Sequence, residues 1–160
     1  MTVFAWRIAT DTPDYIADDL TGEGARRSGG RWNRVGTPMV YASGSIALAG
    51  LETIVHLGAG DVPLNRHLVQ IEIPDEVWTA AVQFDAQTNV GWDAIPAGKV
   101  SLDAGERWST SRSSALLVVP SVIVTEERNI LINPLHPDAT RIRAKKLRRW
   151  IYDARLRKDA

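Results

Sequence analysis

From Val3 to Ile8 the chain alternates, which predicts a first strand with Arg7 on the face opposite Trp6 and Ile8. Residues 12–27 are polar and loop-like, with a turn of helix expected around Tyr15 to Leu20. Two glycines, Gly29 and Gly30, free the backbone before Arg31, and Gly36-Thr37-Pro38 predicts a turn. Met39–Ala42 is a short apolar run of strand character, after which Ser43 and Ser45 offer N-caps. The helix they open runs from Ile46 to Leu57. Its apolar residues (Ile46, Leu48, Leu51, Ile54, Val55, Leu57) spread around the axis, the pattern of a buried helix. Glu52 sits among them.

Gly58 to Pro63 is a break, and Leu68–Ile73 alternates as a strand ended by Pro74. Trp78 to Phe84 reads as another strand, and Asn89–Lys99 as a turn-rich stretch whose Trp92 caps a core. A short helix carrying Trp108 is expected from Glu106 to Ala115. Ala115–Val124 is a buried strand on both sides of Pro120 and Ser121, where the missing N–H predicts a bulge or a sheet edge. Asn129–Asn133 is a further strand, stopped by Pro134. Asp138 caps an expected helix reaching Arg149, with Ile142 and Leu147 inward, and Trp150 to Leu156 closes the chain. With no repeat or change of composition, the expectation is one α+β domain over residues 1–160, with short mixed strands and few helices.

Composition changes this picture little. The absence of cysteine excludes disulfides and thiolate metal sites. The N-terminus has no signal-peptide pattern and no window is apolar enough to span a bilayer, so a cytoplasmic protein without a membrane partner is expected. Charge matters more. The net charge is zero, yet residues 141–158 hold nine lysines and arginines against one acid, Asp153. Such a stretch is a solvated helix face or a surface for an acidic partner or nucleic acid, and the solvated face is the commoner case.

Three side chains along the central unit carry candidate chemistry. Arg31 follows two glycines that let it approach a ligand, and a guanidinium fork suits phosphate or carboxylate; the plain alternative is a surface arginine. Tyr41 ends an apolar strand, a position that is more often core than site. Glu52 is the sharper signal, because a carboxylate in a buried helix is costly unless it is paired, for instance with Arg7, or used. Glu52 and His56, spaced i, i+4, share a helix face that could bind a metal, but only His67 and His136 remain as further imidazoles. There is no P-loop, and Ser121 has no neighbouring histidine to make it a hydrolase nucleophile.

GGRWN around Arg31, VYAS with Tyr41, ALAGLET around Glu52, LLVVPSVIV around Ser121, NILINPLHPD from Asn129 and the closing YDARL occur in order along nearly the whole chain. In this set the chain resembles the RES-domain toxins of bacterial toxin–antitoxin pairs. That resemblance implies a fold similar to diphtheria-toxin-like ADP-ribosyltransferases and an enzyme that consumes NAD⁺, with a protein side chain, phosphate or water as acceptor. It implies Arg31, Tyr41 and Glu52 as the active-site set and Ser121 as the family's serine, with Arg7 and Asn133 as further pocket residues. It also implies a cognate antitoxin, commonly of helix-turn-helix type, so that nucleic acid is met only through that partner.

Those roles make physical sense. Breaking the ribosyl–nicotinamide bond builds an oxocarbenium-like charge, which Glu52 would stabilise. Arg31, with Arg7, would hold the pyrophosphate, Tyr41 would present its ring, and Ser121 would orient Glu52 or a ribose hydroxyl; no metal is required. The loop bearing Arg26, Arg27, Arg31 and Arg34 would offer charge-assisted contacts to an antitoxin that blocks the cleft. The alternative class is a non-catalytic interaction module that uses the basic C-terminal stretch.

Overall fold

The computed structural model describes residues 1–58 and 62–156. Its centre is a seven-stranded sheet built from β1 (Thr2–Thr10), β2 (Val40–Ser43), β3 (Arg66–Pro74), β4 (Val82–Gln83), β5 (Leu116–Pro120), β6 (Arg128–Ile132) and β7 (Arg143–Arg149). The spatial order is β4-β5-β6-β2-β1-β3-β7, antiparallel except for the β4–β5 pair. Helices α1 (Glu23–Ser28), α2 (Ile46–Ile54), α3 (Asp75–Thr79) and α4 (Lys99–Ser111) complete an α+β architecture. None of the described helices is long and apolar enough to cross a membrane.

Strand alternation gives the sheet two different faces. Ala5, Ala9, Val40, Ala42, Val69, Ile71, Ile73, Leu116, Ile130 and Ile132 form the larger core on one face. It is closed by Ala17, Leu20, Val77 and Ile142. The other face carries two smaller cores. Beneath α4, Trp108 and Ala104 pack with Leu117, Val119 and Leu131. Beneath α2, Ala49 and Ile46 pack with Ile8 and Leu68. Between these two helices the register leaves a strip of β2 and β6 that holds Tyr41, Ser43 and Asn129. The site is built there.

Several elements differ from the sequence reading. α2 is not a buried helix: Leu48, Ala49 and Gly50 are its buried residues, Val55 is 56% exposed, and His56 just beyond it is exposed. A single flank meets the sheet, while Trp150 lies against Gly50 and the Tyr152 hydroxyl donates to Thr53 Oγ1 at 2.8 Å from the C-terminal segment. Of the strand expected from Trp78 to Phe84, Val82–Gln83 forms as β4, whereas Trp78 and Thr79 are the end of α3, opened by Pro74 and the first-turn acids Asp75 and Glu76, a helix start that complements the macrodipole. α4 begins at Lys99 rather than Glu106, and no helix forms around Tyr15 to Leu20.

The largest departure is at the basic stretch. Residues 137–141 form one short 3-10 turn, and Arg143–Arg149 is the edge strand β7, not a helix. Leu147 is bulged out where Val69 pairs with Lys146 but Leu68 with Arg148, so it is exposed instead of inward. Lysines and arginines on an edge strand also deter pairing with other chains. Pro120 ends β5 beyond its short pairing with β4, where its missing N–H costs no ladder bond. The expected break at Gly58 to Pro63 lies partly outside the described residues.

Candidate active site

Glu52 projects from the last turn of α2 toward the ends of β5 and β6 and is half-buried. Its Oε1 accepts two hydrogen bonds, from Ser121 Oγ at 2.7 Å and from Asn129 Nδ2 at 2.7 Å. Ser121 is fully buried just after β5, and its oxygen accepts from the backbone amides of Ile123 and Val124, both at 3.1 Å. Those two amides leave the hydroxyl proton one direction, toward the carboxylate. Asn129 is held from its other end by Ser43 Oγ, which donates to Oδ1 at 2.8 Å. Ser43 and Asn129 are direct partners across the β2–β6 ladder. Ser45, not Ser43, caps α2, accepting from the Leu48 amide at 3.1 Å.

Tyr41 lies two residues before Ser43 on the same face of β2, about 7 Å along the strand. Its hydroxyl donates to Asn33 Oδ1 at 2.6 Å and accepts from the Trp32 amide at 3.0 Å. Burial pushes the phenol well above its ordinary value, against the opposing pull of the Trp32 and Asn33 backbone amides and of the nearby Arg31 charge. Asn33, 1% exposed, spends its amide on the carbonyls of Ala25, Arg34 and Thr37. Tyr41 and Asn33 therefore pin the loop that carries Arg31. Gly30 has to be small there, since a Cβ would stand 2.7 Å from the Tyr41 hydroxyl. Gly105 of α4 is pressed on the same loop, its would-be Cβ 1.8 Å from the Trp32 carbonyl.

Arg31 is itself anchored. Its Nη1 donates to the carbonyls of Trp92 at 3.0 Å and Ala94 at 2.8 Å. The segment offering those carbonyls is fixed by ring packing of Trp92 on Trp32 (centroids 6.1 Å apart) and of Phe84 on Trp32 (4.8 Å). Nε and Nη2 have no protein partner among the described residues, which leaves part of the guanidinium fork for a ligand.

The fold thus groups Arg31 with Tyr41 and Glu52 with Ser121, along one strip of sheet. Arg7 and Asn133 stand apart. Arg7 alternates to the other face of β1 from Trp6, which pairs with Ser43, and its ionisable neighbours there are Asp19 and Tyr15. Burial there lowers the Arg7 guanidinium, opposed by those two groups. Asn133 follows β6 at the end away from Asn129, where Nδ2 donates to the Ser109 carbonyl and Oδ1 accepts from the Leu135 amide. From the sequence, Asn129 and Asn33 carry no role and Ser43 only that of a helix cap. Asn129 and Asn33 stand inside the quoted segments NILIN and GGRWN, but nothing in their spacing marks them. The described residues contain no group of three or more His, Cys, Asp or Glu placed to hold a metal, Glu52 and His56 included.

Arg26 and Arg27 are engaged at the surface with Glu23 and Asp14, and Arg34 bridges Asp103 and Glu106 of α4. Glu23, between two guanidinium groups, is held down to about 2.

Residues 4–155 match the RES domain family. A relative named "Prs ADP-ribosylating toxin" from Sphingobium sp. (strain YBL2) is 58% identical over 161 residues, covering 100% of both chains. "Toxin Res" of Yersinia enterocolitica is 41% identical over 122 residues, covering 76% of this chain and 79% of its own. "Toxin Res" of Pseudomonas putida is 39% identical over 136 residues, with coverage of 84% and 86%. The chain that folds this strip between α2 and α4 belongs to the RES domain family, the family of those toxins.

Proposed function

We propose that this protein is a toxin enzyme that breaks the nicotinamide–ribose bond of NAD⁺ and passes ADP-ribose to an acceptor. The observation that carries the reading is Glu52: a carboxylate held through one oxygen by Ser121 and Asn129, its Oε2 without a protein partner among the described residues. A purely structural carboxylate would be expected to use both oxygens. Support from outside the chain comes from the 58% identical relative named for ADP-ribosylation.

In the reaction the C1′–N bond breaks and its electron pair leaves on nicotinamide, which departs neutral. The ribose is left with oxocarbenium character, and an acceptor closes on C1′ and gives up a proton. Glu52 contributes a fixed negative charge and a hydrogen-bond acceptor for ribose hydroxyls, where positive charge develops. Ser121 holds that carboxylate. Arg31 offers Nε and Nη2 to the pyrophosphate, a match that lysine lacks. With its hydroxyl committed to Asn33, Tyr41 contributes a ring face and the placement of the Arg31 loop. Arg7 and Asn133 have no assigned part in this scheme, since the register sets Arg7 on the opposite face and Asn133 at the far end of β6.

The name of the 58% identical relative favours a protein acceptor, with phosphate and water as rivals. A likeness to diphtheria-toxin-like ADP-ribosyltransferases, a cytoplasmic location and an inhibiting antitoxin of helix-turn-helix type belong to the same proposal. Because Arg26, Arg27 and Arg34 already have acidic partners within the chain, an antitoxin contacting them would have to exchange those exposed pairs, which are individually weak. The rival reading, a non-catalytic module, has the basic edge strand β7 as its support. Incubating the protein with NAD⁺ labelled in the adenylate portion, with and without phosphate and cell lysate, tests the proposal. Label on protein, on ADP-ribose phosphate or on free ADP-ribose identifies the acceptor; intact NAD⁺ in every arm would refute the enzyme.

A further inference from the structure

We infer that Asn129, held by Ser43, is a positioning residue that fixes which oxygen of Glu52 faces the substrate. This rests on the reading of Glu52 as the catalytic carboxylate. Nothing in the Ser121 contact alone would fix the carboxylate plane, because one hydrogen bond leaves the group free to turn about it. The second bond to the same oxygen, from Asn129 Nδ2 at 2.7 Å, removes that freedom and turns Oε2 outward.

The direction of the Asn129 amide follows from chemistry. A carboxylate only accepts, so the amide must present its N–H₂ to Glu52 and its carbonyl to Ser43. Ser43 Oγ, 4% exposed, meets that carbonyl at 2.8 Å and must therefore donate. The result is a one-way chain, Ser43 to Asn129 to Glu52, crossing the β2–β6 ladder at a directly paired position. Ser43 and Asn129 both sit on strands, so the carboxylate on α2 is referenced to the sheet that also carries Tyr41. Sheet and helix are then registered to one another at the reacting group, the arrangement that catalytic geometry demands.

The test compares wild type, Asn129→Ala, Ser43→Ala and Ser43→Thr in NAD⁺ turnover, with NAD⁺ affinity measured separately by calorimetry. A second arm is a denaturant-unfolding cycle of Asn129→Ala, Glu52→Ala and the double variant. Loss of a charge-assisted hydrogen bond on a transition-state group should lower kcat about 10- to 100-fold. NAD⁺ affinity should stay within about threefold, since the carboxylate itself remains. Ser43→Ala should move kcat in the same direction by less, and Ser43→Thr, which keeps the hydroxyl, should restore it. In the unfolding cycle the two alanine substitutions should be non-additive, because each removes the same bond. Unchanged kcat in Asn129→Ala, a loss confined to affinity, or additive unfolding effects would overturn the positioning role. If wild type itself leaves NAD⁺ intact, the proposed reaction fails, and the unfolding cycle alone decides whether Asn129 holds Glu52.

Discussion

Replacing Tyr41 by phenylalanine removes one oxygen and strands two groups. The Trp32 amide and Asn33 Oδ1 both lose the only partner they have among the described residues. Asn33 is 1% exposed, so its freed oxygen has little access to water. An unsatisfied buried group costs about 1–3 kcal/mol, and because Tyr41 is only half-buried the two together are expected to cost about 2–4 kcal/mol. For a chain of this size that corresponds to a fall in Tm of about 4–16 °C. Urea unfolding followed by tryptophan fluorescence measures it directly. The same substitution loosens the loop holding Arg31, so NAD⁺ affinity should fall with stability. A midpoint within about 0.5 kcal/mol of wild type would refute the claim that Tyr41 pins this loop.

Three further outcomes are expected. The Tyr41 phenol is raised above its reference value of 10.0, so its contribution to stability is complete below that pH and is lost as pH rises beyond it. Wild type should lose stability more steeply than Tyr41→Phe above about pH 10, measured as urea midpoints, and parallel curves would contradict this. Gly105→Ala places a Cβ 1.8 Å from the Trp32 carbonyl and should destabilise by more than about 3 kcal/mol or prevent folding; a wild-type urea midpoint would count against the packing described. Arg31→Lys keeps the charge but loses the fork that spans carbonyls and ligand, so calorimetry should show NAD⁺ binding weakened about tenfold, and an unchanged isotherm would return Arg31 to a surface role.

The parts of this fold legible from sequence were those whose burial is one-sided and regular. β3 alternates because Val69, Ile71 and Ile73 all enter one core, and the pattern survives to Pro74. β7 was illegible for the converse reason. Its residues are polar on both faces and its alternation is interrupted at Leu147, so only pairing with β3 makes it a strand. α2 was found but misjudged: apolar residues around a helix suggested burial on every side, whereas two sides are met by the sheet and by Trp150 and Tyr152, contacts made across the whole chain. The N-terminal signal of α3, proline followed by two acids, was present but outweighed by the aromatic and β-branched residues after it.

At the site, Glu52 stood out because its surroundings along the helix are apolar, and Arg31 because of its glycines. Ser121 rested on the resemblance. Asn129 and Ser43 carried no local signal: a serine after a strand reads as a cap, and an asparagine at a strand start reads as a turn residue. Their link to Glu52 spans 77 residues in one case and 86 residues between themselves, distances over which spacing carries no information.

The central claim is that Glu52 supplies the negative charge on which NAD⁺ cleavage depends. Glu52→Gln tests it most directly, because glutamine can still accept from Ser121 and Asn129 through its oxygen while lacking the charge. Nicotinamide release should be followed in wild type and variant at equal folded concentration, with the acceptor found by labelling present at saturation. The variant should keep wild-type circular dichroism, be no less stable to unfolding than wild type, and release nicotinamide at least about a hundredfold more slowly. A folded Glu52→Gln protein that releases nicotinamide at the wild-type rate would contradict it.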